Sequence, residues 1–135
     1  MTPPAARGLL DTSVFIALET DRAIDVGRLP DESVVCPMTI AELQAGVLAA
    51  GDLGTRARRL ATLESIADVE VLVIDTAVAA EWARLRVHLA ENGLRVNVND
   101  LWVAATAAAH GLPVVTQDDD FDPLDGVGGL SVIRV

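Results

Sequence analysis

The chain contains no lysine and no tyrosine, and its ten basic residues are all arginine. Without lysine, the sequence cannot encode a Walker A phosphate loop, a Schiff-base enzyme or a lysine-dependent receiver domain. Aromatic residues make up only 3% of the chain, which argues against extensive stacking of nucleic acid bases on aromatic side chains. These absences direct attention to the acidic residues.

Cysteine and long apolar runs are also scarce. The single cysteine, Cys36, cannot form an internal disulfide, which fits a reducing cytosol. The sequence shows neither a charged-then-apolar leader nor a run of about 20 uncharged apolar residues. We therefore expect a cytoplasmic protein without a membrane segment. The 135 residues fit one domain, 1–135, in which residues 1–7 form a frayed N-terminal extension.

The formal net charge of −10 disfavours non-specific binding to nucleic acid, because neutralisation of phosphates drives that binding. The arginines are nevertheless clustered at Arg56, Arg58 and Arg59, and again at Arg84 and Arg86. A local basic ridge can guide a nucleic acid strand on an acidic protein. We therefore single out Arg56 and Arg59 as candidate substrate contacts, with a solvated helix face as the alternative.

Short β-like runs alternate with helical patterns along the chain, which is typical of a parallel sheet covered by helices. The predicted strands are residues 9–10, 33–36, 71–74, 114–116 and 132–135, and the run 71–74 has the composition of a buried strand. The predicted helices are residues 12–19, 39–50, 55–67, 76–92 and 99–110. We expect an α/β fold with three α/β/α layers around a central, mainly parallel sheet.

Four acidic residues, Asp11, Glu42, Asp100 and Asp118, lie where a hydrophobic run gives way to a new element. Sites in open α/β sheets form beyond the carboxyl ends of the strands. Asp11 and Asp118 follow predicted strands, and Glu42 and Asp100 are placed in first turns of helices. Carboxylates gathered in this way bind hard divalent cations, so metal-assisted phosphodiester cleavage is the leading hypothesis.

Each of these positions also has an ordinary structural explanation. Short polar side chains favour helix caps and turns because they bond to nearby backbone groups. The structural roles are an N-cap for Asp11, a capping box for Thr39 with Glu42, a dipole contact for Asp100 beside an Asn99 cap, and a turn for Asp118.

The order of the four motifs favours the functional interpretation. They are Asp11-Thr12-Ser13, Thr39-x-x-Glu42-Leu43, Asn99-Asp100-x-x-x-Ala104-Ala105-Thr106 and Thr116-x-Asp118-x-Asp120-Phe121. This set resembles the PIN domain family and, within it, the compact VapC-type toxins of bacterial toxin–antitoxin pairs. The resemblance spans the chain from Leu9 to the last strand. Because Asp118, Asp119 and Asp120 are consecutive, the fourth acid is either Asp118 or Asp120.

The resemblance implies a metal-dependent endoribonuclease that uses Mg²⁺ or Mn²⁺. Asp11 and Asp100 are expected to be the principal metal ligands, and Glu42 with Asp118 or Asp120 to complete the shell or to position waters. Ser13 or Thr12 is a candidate for a hydrogen bond to a carboxylate or to the substrate phosphate.

The resemblance also implies a structured substrate from the translation machinery, transfer or ribosomal RNA, a homodimer, and inhibition by a cognate antitoxin. The small residues Ala45, Gly46 and Ala49, together with Trp102, form a candidate surface for self-association. Two alternatives stay open at this point. One is a PIN nuclease of RNA maturation or turnover that has no antitoxin, and the other is a non-catalytic module whose acidic pocket binds a basic partner.

Overall fold

The computed structural model describes residues 3–135, which fold around a five-stranded sheet. The strands are β1 (Arg7–Leu10), β2 (Glu32–Val35), β3 (Glu70–Val71), β4 (Val114–Thr116) and β5 (Val132–Arg134), in the spatial order β3-β2-β1-β4-β5. Every ladder is parallel. The predicted α/β class and central parallel sheet are therefore confirmed.

Five α-helices cover the two faces of the sheet and complete the three layers. They are α1 (Thr12–Glu19), α2 (Pro37–Leu48), α3 (Leu53–Ser65), α4 (Thr76–Glu91) and α5 (Val98–Ala109), with short 3₁₀ turns at Val26–Arg28, Asp122–Leu124 and Val127–Gly129. Within residues 3–135 no helix is long and apolar enough to cross a membrane.

Alternation of side chains along the central strands creates two separate cores. Successive residues of a strand point to opposite faces, and both faces are apolar because helices cover both. Leu9 of β1 belongs to the core under α4 and α5, together with buried Val78, Leu85 and Leu89 of α4. Leu10 belongs to the core under α1, α2 and α3.

The boundary of α2 differs from the sequence prediction. The helix begins at Pro37, with Cys36 as its N-cap, because proline is well suited to the first helical position. Thr39 is therefore inside the helix and not its cap, so the predicted capping box with Glu42 is wrong. Glu42 lies in the second turn, not in the first turn that the sequence suggested.

The prediction of a buried strand at residues 71–74 is also wrong. β3 spans only Glu70–Val71 and pairs with β2 alone, at the edge of the sheet. Val71 and Val73 are 39% and 64% exposed, and only Leu72 between them is buried. The four consecutive apolar residues concealed an edge position in which Leu72 is buried and Ile74 packs partly against the core.

The predicted frayed extension, residues 1–7, is tied to the sheet in its second half. β1 starts at Arg7, which pairs with Glu32. The carbonyl oxygens of Ala5 and Ala6 accept hydrogen bonds from the backbone of Asp31 and Glu32, each at 2.9 Å. Residues 1 and 2 lie outside the described residues.

Replacement of Leu85 by alanine tests the packing of α4 on the sheet. Leu85 is fully buried, so Leu85→Ala should lower the free energy of unfolding by about 2–5 kcal/mol. Val87 on the same helix is 54% exposed, and Val87→Ala should cost less than about 0.5 kcal/mol. Urea unfolding followed by circular dichroism measures both. Equal effects of the two substitutions would contradict the assigned helix face.

Candidate active site

The acidic residues meet at the carboxyl end of the sheet, between β1 and β4. Strand order reverses there, because β2 and β3 extend from one side of β1 whereas β4 and β5 extend from the other. Such a reversal opens a crevice in which α/β proteins bind ligands. The crevice has a volume of about 270 Å³ and is lined by Asp11, Thr12, Ser13, Ile16, Glu42, Asn97, Asn99, Asp100, Asp118 and Asp120. We call it the acidic pocket.

Asp11 is both a helix cap and part of the lining of the acidic pocket. It is the N-cap of α1, although the hydrogen bond from the Ser13 backbone N–H to its Oδ2 is long, at 3.4 Å. The same Oδ2 accepts a hydrogen bond from Thr116 Oγ1 at 3.1 Å, and Asp11 is only 5% exposed. The carboxylate is therefore fixed by β4 as well as by its own helix.

Hydroxyl groups link the end of β4 to the start of α1. The single hydroxyl proton of Thr116 goes to Asp11, so Ser13 is the donor in the 3.1 Å contact between Ser13 Oγ and Thr116 Oγ1. Ser13 Oγ in turn accepts from the backbone N–H of Gln117 at 3.0 Å. Ser13 therefore helps to hold the pocket wall and also lines the pocket. Its hydroxyl bonds to Thr116 and Gln117 and not to a carboxylate.

Glu42 reaches the pocket from the second turn of α2. Thr12 Oγ1 donates a hydrogen bond to Glu42 Oε1 at 2.9 Å, which holds the side chain beside α1. Burial raises the pKa of Glu42, the hydrogen bond from Thr12 opposes that shift, and the negative charge of Asp11 adds to it.

Asp100 lies in the first turn of α5, as predicted, but it does not cap the helix. The N-cap is Asn97, whose Oδ1 accepts the backbone N–H of Asn99, so Asn99 is not the cap. Burial is the largest cause that raises the pKa of Asp100 from 3.8 to about 7, followed by the charges of Asp11, Asp120, Glu42 and Asp118. The carboxylate therefore lies among like charges.

Both candidates for the fourth acid line the pocket. Asp118 is half-buried, and burial followed by the charges of Asp11 and Asp120 raises its pKa, which Arg22 partly offsets. Asp120 is exposed and also lines an adjoining cleft together with Asp119. Asp119 is exposed and does not line the acidic pocket. The structure thus places both Asp118 and Asp120 at the acidic pocket.

The donor set of the pocket fits a hard divalent cation. Every ionisable side chain that lines it is a carboxylate, and Mg²⁺ binds through one or two carboxylates while keeping several waters. Within residues 3–135 no three acidic, histidine or cysteine side chains converge into a ready-made metal cage. Mutual repulsion of the carboxylates explains why they surround a space without closing on it.

The arginines proposed from the sequence lie elsewhere. Arg56 and Arg59 belong to α3 and are not among the residues that line the acidic pocket. Arg59 Nη1 donates a hydrogen bond to the carbonyl oxygen of Gly46 at 2.7 Å, which joins α3 to α2. Trp102 stacks on Trp82 with ring centroids 5.2 Å apart, so this predicted self-association residue packs within its own chain.

Sequence reasoning did not assign three residues of the pocket: Ile16, Asn97 and Asn99. Ile16 is 42% exposed at the pocket wall, one turn beyond Thr12 on α1. Both asparagines lie within the three residues before Asp100. The pattern Asn97-Val98-Asn99-Asp100 indicated a helix cap at the edge of the pocket.

Comparison with known proteins agrees with this geometry. The family model of the PIN domain matches residues 8–127. The chain is 58% identical to ribonuclease VapC5 of Mycobacterium tuberculosis over 134 residues, which covers 99% of the chain and 98% of that relative. It is 42% identical to ribonuclease VapC4 of the same organism, with coverage of 93% and 97%.

A solved structure extends the likeness to three dimensions. The crystal structure of VapBC-5, a member of the VapBC family of toxin–antitoxin systems from Mycobacterium tuberculosis, matches with a TM-score of 0.91 and 55% identity, over 96% of this chain and 99% of that one. Three observations lead to one conclusion. The strand order reverses beside β1, an acidic pocket lies at that reversal, and the chain is similar to these proteins in sequence and structure. The chain belongs to the PIN domain family and, within it, to the VapC ribonucleases.

Proposed function

We propose that this protein is a Mg²⁺- or Mn²⁺-dependent endoribonuclease toxin that cleaves structured RNA of the translation machinery, transfer or ribosomal RNA. The observation that carries the proposal is the gathering of Asp11, Glu42, Asp100, Asp118 and Asp120 around one pocket. The names of the curated relatives, all ribonucleases, support the same reaction.

Asp11 and Asp100 hold the cation in this proposal, and Glu42 with Asp118 or Asp120 completes its shell or positions waters. Hydrogen bonds within the pocket wall use Oδ2 of Asp11 and Oε1 of Glu42. The second oxygen of each carboxylate is thereby left for a cation or a water. The chemistry that Mg²⁺ or Mn²⁺ supplies at such a site is activation of a water for in-line attack and stabilisation of the leaving oxygen.

Inhibition by a cognate antitoxin and assembly as a homodimer belong to the same proposal. The VapBC-5 structure, by its description, is a member of a toxin–antitoxin family, and at 55% identity the likeness supports an antitoxin partner here. A nuclease of RNA maturation without an antitoxin is the competing function, and the VapC relatives weigh against it.

Replacement of Asp100 by asparagine separates catalysis from helix stability. Asp100→Asn keeps the side-chain shape but removes the charge that holds the cation, so RNA cleavage should fall by orders of magnitude. Because Asn97 is the cap, loss of the Asp100 charge should lower the free energy of unfolding by no more than about 1 kcal/mol, and relief of repulsion in the metal-free pocket should raise it. Gel-based cleavage of transfer and ribosomal RNA measures the first effect, and thermal melting the second.

The matched variants for this experiment are Asp11→Asn and Asp68→Asn. Asp11→Asn should also abolish cleavage, whereas Asp68 is exposed near β3 and its replacement should change nothing. Mg²⁺ or Mn²⁺ should raise the melting temperature of the wild type through linkage, and raise it much less in both site variants. An Asp100→Asn protein that still cleaves RNA at the wild-type rate would refute the assignment.

The raised pKa of Asp100 predicts that the stability of the metal-free protein depends on pH in an unusual direction. Between pH 3.8 and about 7 the folded protein retains a proton on Asp100 that the unfolded chain has lost. Stability from this group is therefore present at low pH and lost as pH rises towards 7. In EDTA, the melting temperature of the wild type should fall from pH 5 to pH 8 more steeply than that of Asp100→Asn. Parallel profiles would show that Asp100 is not protonated in the folded state.

Growth assays and light scattering separate the toxin from the maturation nuclease. Expression of the wild type should arrest growth, and co-expression of an adjacent antitoxin-like reading frame should restore it, whereas Asp100→Asn should be harmless throughout. The purified protein should scatter light as a dimer at micromolar concentration. A strictly monomeric, non-toxic protein that still cleaves RNA would favour the maturation nuclease.

A further inference from the structure

Two clefts continue from the acidic pocket along one side of the molecule. The first, of about 560 Å³, shares Asn97, Asp100 and Asp120 with the acidic pocket. The second, also about 560 Å³, shares Arg95 and Val96 with the first. We call the two together the side groove; it is lined by Trp82, Arg86, Leu89, Arg95, Val96 and Leu101 along its distal half.

The half of the side groove next to the acidic pocket is acidic, since it is lined by Asp100, Asp119, Asp120 and Asp122. The distal half is lined by no acidic residue, and Arg86 and Arg95 give it a positive charge. Both arginines are exposed. In the part of the chain that the structure describes, ion pairs involve only Arg7 and Arg84, so no carboxylate lies within 4.0 Å of either guanidinium. Two guanidinium groups without carboxylate partners, next to a site for phosphodiester cleavage, are suited to bind phosphates.

The segment that carries Arg95 is held by the end of α4. The helix ends at the Asn92 cap, and Gly93 then adopts a positive φ of 63°. The backbone N–H of Leu94 donates to the carbonyl oxygen of Leu89 at 2.9 Å, the closing bond of a Schellman motif. Arg95 therefore leaves the helix in a direction fixed by backbone hydrogen bonds.

The distal half of the groove is apolar between its arginines. Leu89 and Leu101 are buried at its base, at 2% and 3% exposure, while Leu94 and Val98 are 40% and 65% exposed at its rim. Apolar surface beside arginine suits an unstacked base with its flanking phosphates, which is how proteins bind single-stranded segments of RNA. A fully paired duplex presents no free base to such a pocket.

We propose that the side groove binds a single-stranded segment of the RNA substrate next to the scissile phosphate. Arg95 and Arg86 contact successive phosphates, and the pocket between them receives one unstacked base. The inference rests on the proposed ribonuclease function. It replaces Arg56 and Arg59 as the RNA contacts, because α3 packs under the opposite face of the sheet from α4.

Binding of a labelled RNA tests the groove directly. The probe is a fluorescein-labelled single-stranded RNA of 12 nucleotides and mixed sequence, titrated in MgCl₂ and followed by anisotropy over a range of salt concentrations. All proteins carry Asp11→Asn to prevent cleavage. The variants are Arg95→Gln, Arg86→Gln and Ala90→Leu in the groove, with Arg56→Gln and Arg28→Gln as matched arginine controls outside it.

Each arginine substitution in the groove should weaken binding about tenfold, as expected for loss of a charge-assisted contact. It should also lower the slope of log K against log[salt] by about 0.7, the value for one phosphate contact on a single strand. Ala90 is exposed and lines the groove, so Ala90→Leu should fill the base pocket and weaken binding without changing the slope. The two control variants should bind like the parent.

The outcomes distinguish this inference from the proposed function. Cleavage of purified transfer and ribosomal RNA by the protein that retains Asp11 tests the function itself. If that protein cleaves RNA but Arg95→Gln and Arg86→Gln bind like the parent, the groove proposal fails alone. Weakening by Arg56→Gln in their place would assign the RNA path to α3. If the protein neither binds nor cleaves RNA, both proposals fall.

Discussion

Repulsion between half-buried carboxylates is the constraint on which this structure depends. Burial, followed by the charges of four other acids, raises the pKa of Asp100 to about 7. Such an arrangement costs folding free energy, so it persists only where the surrounding fold imposes it. The pocket is thus destabilising for the metal-free protein, and a divalent cation would turn the same repulsion into attraction.

The fold imposes the arrangement through four elements, β4, α1, α2 and α5. The hydroxyls of Thr116 and Ser13 connect the end of β4 to α1 and fix Asp11. The hydroxyl of Thr12 fixes Glu42 on α2. Asp100 comes from α5, whose N-terminus is closed by Asn97. The hydroxyl groups that donate these hydrogen bonds are neutral. Asp11 and Glu42 are therefore held in place without a basic residue that would neutralise their charge.

Periodicity was sufficient to predict the architecture, whereas the acidic residues were chosen from the order of their four motifs and from the resemblance of that set to the PIN domain family. Helix α1 and strand β4 have the predicted bounds, since their ends coincide with polar residues of clear capping or turn type. The errors arose where one residue has two compatible roles. Thr39 and Glu42 match a capping box, but Pro37 starts the helix earlier. A short apolar run likewise does not reveal whether β3 is central or at an edge.

Contacts formed by tertiary packing were beyond the reach of the sequence. The arginine cluster on α3 was the more visible signal, whereas Arg95 is isolated in the chain and acquires its position only through the turn at Gly93. The stack of Trp82 on Trp102 joins α4 to α5, two helices whose contact no local pattern encodes. The sequence thus predicted which acidic residues lie together better than it predicted the surface around them.

The middle of helix α5 is almost completely buried. Ala104, Ala105 and Ala107 are fully buried, and small side chains let the helix fit between α4 and the sheet. The first turn of this helix carries Asp100, and the alanines that pack in the core follow it along the same helix. A larger side chain at one of these alanines would push α5 away from α4 or the sheet and would shift Asp100 with it. The shape of the acidic pocket is therefore tied to residue volumes one to two helical turns away along α5.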